Sequence, residues 1–152
     1  MTSIANENIC GFEIDFPKLT ITKKTTNPEQ LLKNAGVEYK MVTDRYITFA
    51  GRVFGCDIPL MVGFHFDEDG FNCIEIFRPR EYYSSGSYDA NASYAEISQV
   101  LRNKYGEPHS ETSDPESSLA RERWITPAYG IDHYVMERFG PEERLYIIFP
   151  NE

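Results

Sequence analysis

Residues 60–77 read Leu60-Met61-Val62-Gly63-Phe64-His65-Phe66-Asp67-Glu68-Asp69-Gly70-Phe71-Asn72-Cys73-Ile74-Glu75-Ile76-Phe77. Leu60, Val62, Phe64 and Phe66 alternate with Met61, Gly63 and His65, the period of a strand with one face on a core. Asp67-Glu68-Asp69-Gly70 supplies a turn, because acidic residues tolerate turn geometry and glycine accepts positive φ. Phe71 to Phe77 returns as a second strand, and Pro79 stops it because proline cannot donate to a ladder. An antiparallel hairpin is therefore the nucleus from which the rest of the sheet is read.

Upstream, Asp44 to Phe54 is rich in β-branched and aromatic residues and adds a third strand. Phe12 to Thr22 reads as an opening strand or pair of strands around Pro17 and Lys18. Between them lies a helix of two to three turns. Asn27 is placed to cap it, Pro28 suits its first position, Gln30 completes a capping box, and Gly36 stops it. Downstream of Phe77, Arg78 to Asn91 is a polar connector rich in Gly, Ser and Tyr. A second helix follows, with a capping box at Ser93 and Glu96 and an apolar stripe of Tyr94, Ile97, Leu101 and Tyr105. Gly106 and Pro108 end it, and His109 to Ser118 reads as an acidic loop. Three strands complete the chain: Leu119 to Ile125, Ile131 to Phe139, and Arg144 to Phe149, the last two joined by a Gly140–Glu143 turn.

The expected class is α+β: one antiparallel sheet with two helices on one face, built as a tandem αβββ unit. The first repeat covers about 27–79 and the second about 91–150, within a single domain spanning 1–152. A shift of 70 lays Leu31 on Leu101 and Gly36 on Gly106, and a shift of 72 lays Ile76-Phe77 on Ile148-Phe149. Whether this is a duplication or two independent stretches on one plan stays open in the sequence. Over Asn27 to Phe149 the pattern resembles the folds of the β-lactamase-inhibitor protein and the small outer-membrane assembly lipoproteins. The resemblance implies a binding scaffold and transfers no site residue.

Composition narrows the function. Aromatics at 14% exclude a disordered chain. Against 15 Lys+Arg stand 24 Asp+Glu, a net charge of −9 that argues against nucleic acid and suits a basic protein partner. Three widely spaced cysteines, Cys10, Cys56 and Cys73, suggest reduced thiols and a cytoplasmic location. The first residues carry neither a cationic start nor an apolar run, and no stretch approaches a membrane span.

Chemistry is sparse. Cys56 or Cys73 with His65, His109 or His133 is the raw material of a Cys–His nucleophile, but Cys73 alternates with core-like Ile74 and Ile76. His65 with Asp67 is at most half of a metal site, the Asp67–Asp69 turn lacks a full calcium loop, and the glycines fit no phosphate loop. Catalytic residues, metal ligands and cofactors are therefore all expected to be none. Arg121, Arg123 and Arg138 are expected to sit in adjacent strands and to pair across them with Glu122, Glu137 or Asp132. What remains is interaction surface. Tyr82, Tyr83 and Tyr88 stand among small polar residues, a mixture suited to protein recognition. Asp67, Glu68 and Asp69, with Glu142, Glu143, Asp114 and Glu116, offer a negative rim. The expectation is an immunity protein or inhibitor that occludes a cognate toxin or effector. A secretion chaperone is the first alternative and a small-ligand protein or enzyme the second, with oligomeric state left open.

Overall fold

The computed structural model describes residues 11–84, 88–114, 119–137 and 140–150, with only the backbone for 112–114. The hairpin expected over residues 60–77 is present. β5 (Leu60–Asp67) and β6 (Gly70–Phe77) pair antiparallel around Asp67-Glu68-Asp69-Gly70. Gly70 has φ 133°, and any Cβ there would meet the Lys23 carbonyl oxygen at 2.1 Å, so only glycine lets that backbone pass.

Around this pair the chain builds an antiparallel sheet of ten strands among the described residues. β1 (Phe12–Phe16) and β2 (Leu19–Ile21) form the opening pair. After α1 (Pro28–Ala35) come β3 (Lys40–Thr43) and β4 (Tyr46–Val53). After β6 come the short α2 (Arg80–Ser84) and the long α3 (Ala90–Tyr105). The chain then adds β7 (Ser110–Asp114), β8 (Leu119–Ile125), β9 (Gly130–Glu137) and β10 (Pro141–Ile148). The order across the sheet is β2-β1-β4-β5-β6-β10-β9-β8-β7, with β3 also on β4. Two meanders, β3 to β6 and β7 to β10, thus meet through their last strands, where Ile74 lies opposite Ile147.

The registers explain the core. Ile47, Phe64, Ile74, Ile147, Ile131 and Trp124 form one row across six strands on the inner face. All are buried, and with Leu32 of α1 and Ile97, Leu101 and Tyr105 of α3 they make one apolar cluster. Each such side chain contributes about 1.5–3 kcal/mol when taken fully out of water. The outer face carries the alternate residues. One row there is Tyr46, His65, Cys73, Ile148, Gly130 and Ile125, and the next is Thr48, Gly63, Glu75, Tyr146, Asp132 and Arg123. Ile125 is 64% exposed and Ile148 42%, so this face is open to water.

Several local expectations are corrected. Each meander has four strands rather than three, because β3 and β7 join; β7 takes up Ser110–Asp114 of the loop expected over His109 to Ser118, and residues 115–118 lie outside the described ones. Asn27 stands at φ 55° and its side chain makes no capping bond; Gln30 reaches Asn34 instead. α3 starts at Ala90 and is capped by Asp89, whose carboxylate accepts from the Asn91 and Ala92 amides, so Ser93 lies inside the first turn. Pro141, Glu142 and Glu143 belong to β10 rather than to a turn. No helix among the described residues is long and apolar enough to cross a membrane.

Candidate binding cleft

The inner face changes character under α3. His133 follows Ile131 by two residues and precedes Val135 by two, so strand geometry points it into the core, where it is fully buried. Its Nδ1 meets Glu122 Oε2 at 2.9 Å and its Nε2 meets Glu143 Oε2 at 2.7 Å. The Tyr94 ring stacks on it with centroids 4.1 Å apart. Burial alone would push the imidazole toward neutrality, but the two carboxylates outweigh it and raise its pKa above the ordinary value. Burial likewise works against Glu122 ionising, and bonds from His133 and Ser98, with the charges of His133 and Arg102, bring its pKa below the ordinary one. Arg102 closes the network, donating to Ser98 Oγ at 3.2 Å, Glu111 at 2.7 Å and Glu122 at 3.0 Å.

Glu143 links this network to a surface cleft. Glu75 and Phe77 of β6, Glu142, Glu143 and Arg144 of β10, and Tyr83 and Tyr88 line a hollow of about 380 Å³. The tyrosines are held from below. Arg78, itself buried, donates its backbone amide to the Tyr83 hydroxyl at 3.1 Å, and Tyr88 accepts from the Glu143 amide at 3.3 Å. The Arg78 side chain donates to Ser93 Oγ at 2.9 Å and to Glu96 at 2.5 Å, and lies 4.4 Å over the Tyr82 ring. Ser93 also bonds Glu143. The three tyrosine rings meet edge to face, at centroid distances of 4.8 to 5.9 Å. Arg144 crosses the floor between Glu142 at 2.8 Å and Glu75 at 3.7 Å.

Beyond the cleft the outer face holds two further clusters. Tyr46 stacks on His65 at 4.2 Å, and both reach Glu75 Oε1, at 3.3 and 3.1 Å. Arg121 grips Asp132 through two bonds of 2.9 and 2.5 Å and lies 4.8 Å over the Tyr134 ring, while Arg123 reaches the same aspartate at 3.4 Å. Cys73 lies opposite His65 in the register, so a thiol, an imidazole and a carboxylate share one surface. Burial first, and the Glu75 charge second, push the Cys73 thiol up to about 11. Such a thiol is protonated near neutral pH, the reverse of an activated nucleophile.

The six residues expected to meet a partner fall into two groups. Tyr82, Tyr83 and Tyr88 gather at the cleft. Asp67, Glu68 and Asp69 sit at the opposite end of β6, roughly 25 Å away at about 3.3 Å per strand residue. There Asp69 donates its amide to Asp67, and Glu68 comes within 4.0 Å of Arg45. Glu142 and Glu143 line the cleft rather than joining a rim, Glu143 being largely buried. Glu116, Arg138, Ser85 to Ser87 and the Asp114 side chain lie outside the described residues. Glu75, Phe77, Arg144 and the Glu122–His133–Glu143 chain were missed from sequence. A histidine at even spacing between Ile131 and Val135 was the available signal.

Comparison of the chain with protein-family models, with characterised proteins and with solved structures finds no match.

Proposed function

We propose that this chain is a non-enzymatic binding protein of the bacterial cytoplasm, an immunity protein or inhibitor that neutralises a cognate toxin or effector by covering it. The observation that carries this reading is the open outer face with the tyrosine cleft at its end. Half-exposed Tyr46, Tyr134 and Tyr146 stand there beside Arg121, Arg123 and Arg144, side chains of the types that dominate recognition surfaces. Tyr46 is stacked on His65, Tyr134 on Tyr146, and Arg121 lies over Tyr134, so these rings are held before any partner arrives, which lowers the ordering cost of association. A protonated Cys73 beside His65 favours binding over covalent catalysis. The net charge of −9 supports a basic partner steered in by long-range attraction.

Co-expression tests the reading. The product of the gene immediately upstream should arrest growth when expressed alone and be silenced by this protein, with the two eluting as a complex. Neighbouring gene products that neither bind this protein nor lose toxicity in its presence overturn it. Association measured by surface plasmon resonance should slow as salt rises through the physiological range, where exposed charges are screened within about 8–10 Å.

A further inference from the structure

Resting on the reading of this protein as a partner-binding scaffold, we propose that the Tyr83–Tyr88 cleft receives an arginine side chain of the partner. The hollow of about 380 Å³ lies at the small end of the range for ligand clefts, about 300–1,000 Å³, room for one long side chain and a few waters. Its charge selects the occupant. Glu75, Glu142 and Glu143 face one cation, Arg144, whose guanidinium is engaged with Glu142 and Glu75. Each carboxylate oxygen accepts two bonds, so Glu142 and Glu143 keep acceptor capacity for a further donor. The Tyr88 hydroxyl registers this field. Burial and the neighbouring carboxylates of Glu143 and Glu142 raise its pKa despite the bond from the Glu143 amide. An anion entering here would be repelled.

The protein's own arginines show which cation fits such a setting. Arg78 lies 4.4 Å over Tyr82 while bound to Glu96, and Arg121 lies 4.8 Å over Tyr134 while bound to Asp132. In both, a guanidinium lies over a tyrosine ring while donating to a carboxylate, a combination that the planar, weakly hydrated guanidinium suits better than a compact, strongly hydrated ammonium. The cleft presents these elements a third time, with Tyr83 39% exposed and Glu142 on the facing strand. Phe77 adds an apolar wall for the aliphatic stem.

The test is a titration of the full chain, with its tyrosine rings isotope-labelled for NMR, using N-acetyl-arginine methylamide as the probe. Saturable shifts at Tyr83 and Tyr88 are expected, with a dissociation constant on the order of millimolar. Glu142→Gln, a substitution at a partly exposed strand position, should weaken binding about fivefold. The neutral citrulline analogue should leave the rings unmoved, and the lysine analogue should bind more weakly than arginine. Absence of saturable shifts at the two rings overturns the proposal, as does equal binding of the citrulline or lysine analogue or an unchanged affinity in Glu142→Gln. Neutralisation of the partner is scored separately. A protein that silences its partner and ignores the arginine probe loses the cleft assignment alone. One that binds the probe and silences nothing loses the inhibitor reading.

Discussion

His133 and Glu143 are joined by a 2.7 Å hydrogen bond between an imidazole that water does not reach and a carboxylate on the cleft wall. Glu122 holds the other ring nitrogen, so removing the imidazole leaves two acids without their shared cation. His133→Leu should therefore cost about 3–5 kcal/mol, the usual penalty for breaking a buried ion pair from one side. The pH profile should carry the same signature. With a folded pKa raised above 6.5, His133 stabilises fully below that value, and its contribution is lost as pH rises through the folded pKa. With a folded pKa lowered below 4.5, Glu122 stabilises above that value and is lost as pH falls through its folded pKa. Urea midpoints should thus be highest between about pH 4.5 and 6.5, and the alkaline decline should vanish in His133→Gln. A His133→Gln profile parallel to the parent's would refute this.

Gly63 should resist substitution for a reason of space. A Cβ there would sit 2.8 Å from the Tyr46 ring, which lies across the glycine to reach Glu75. Gly63→Ala should push the ring away and cost about 1–3 kcal/mol. Adding Tyr46→Ala to Gly63→Ala should cost less than the two single changes summed, and a double-mutant cycle in urea measures that difference.

The two long-loop helix starts should answer differently to truncation. Asp89→Ala removes a carboxylate that accepts from two amides and should lower stability by about 1 kcal/mol. Asn27 makes no capping bond and stands in the left-handed region, so Asn27→Gly should be neutral or slightly stabilising. Thermal unfolding of the two variants side by side decides the matter.

Cys73 should react sluggishly. A thiol with a pKa of about 11 carries roughly two-hundredfold less thiolate at pH 8 than a free cysteine of pKa about 8.5. Timed alkylation read by mass spectrometry should find Cys73 correspondingly slower than a reference peptide thiol. Comparable rates would mean that the site is not as shielded as its position opposite His65 implies.

Severing the chain between Tyr83 and Ser84 should leave neither piece folded on its own. β6 pairs with β10 on one side, and the β6–β10 seam carries Ile74 and Ile147 into the shared core. Two pieces that each melt cooperatively by calorimetry would contradict a single cooperative unit.

The hairpin was legible because its alternation is long and its turn chemistry local. β8 was found to the residue, since Leu119 to Ile125 is bounded by polar or turn-forming sequence. β3, with Met41 and Val42 exposed on an edge, carries no core face and so no periodic signal. The capping boxes misled because Ser93 and Gln30 found tertiary or neighbouring partners that compete with the local bond. The tyrosines were picked out by composition, but Glu75 and Arg144 reach the cleft only through the β6–β10 register. That contact joins residues some seventy positions apart and leaves no local trace.

The seam also sets a clock. β10 seals the free edge of β6, yet 63 residues lie between Phe77 and Pro141, the first residue of β10. At about 5–20 residues per second on the ribosome, β6 waits on the order of 3–13 s after its own completion before its neighbour emerges. Throughout that interval a nascent strand carrying Ile74 and Ile76 offers unpaired backbone to any passing chain. Slow translation of the second meander would lengthen this exposure, which makes yield a matter of synthesis rate as well as of final stability.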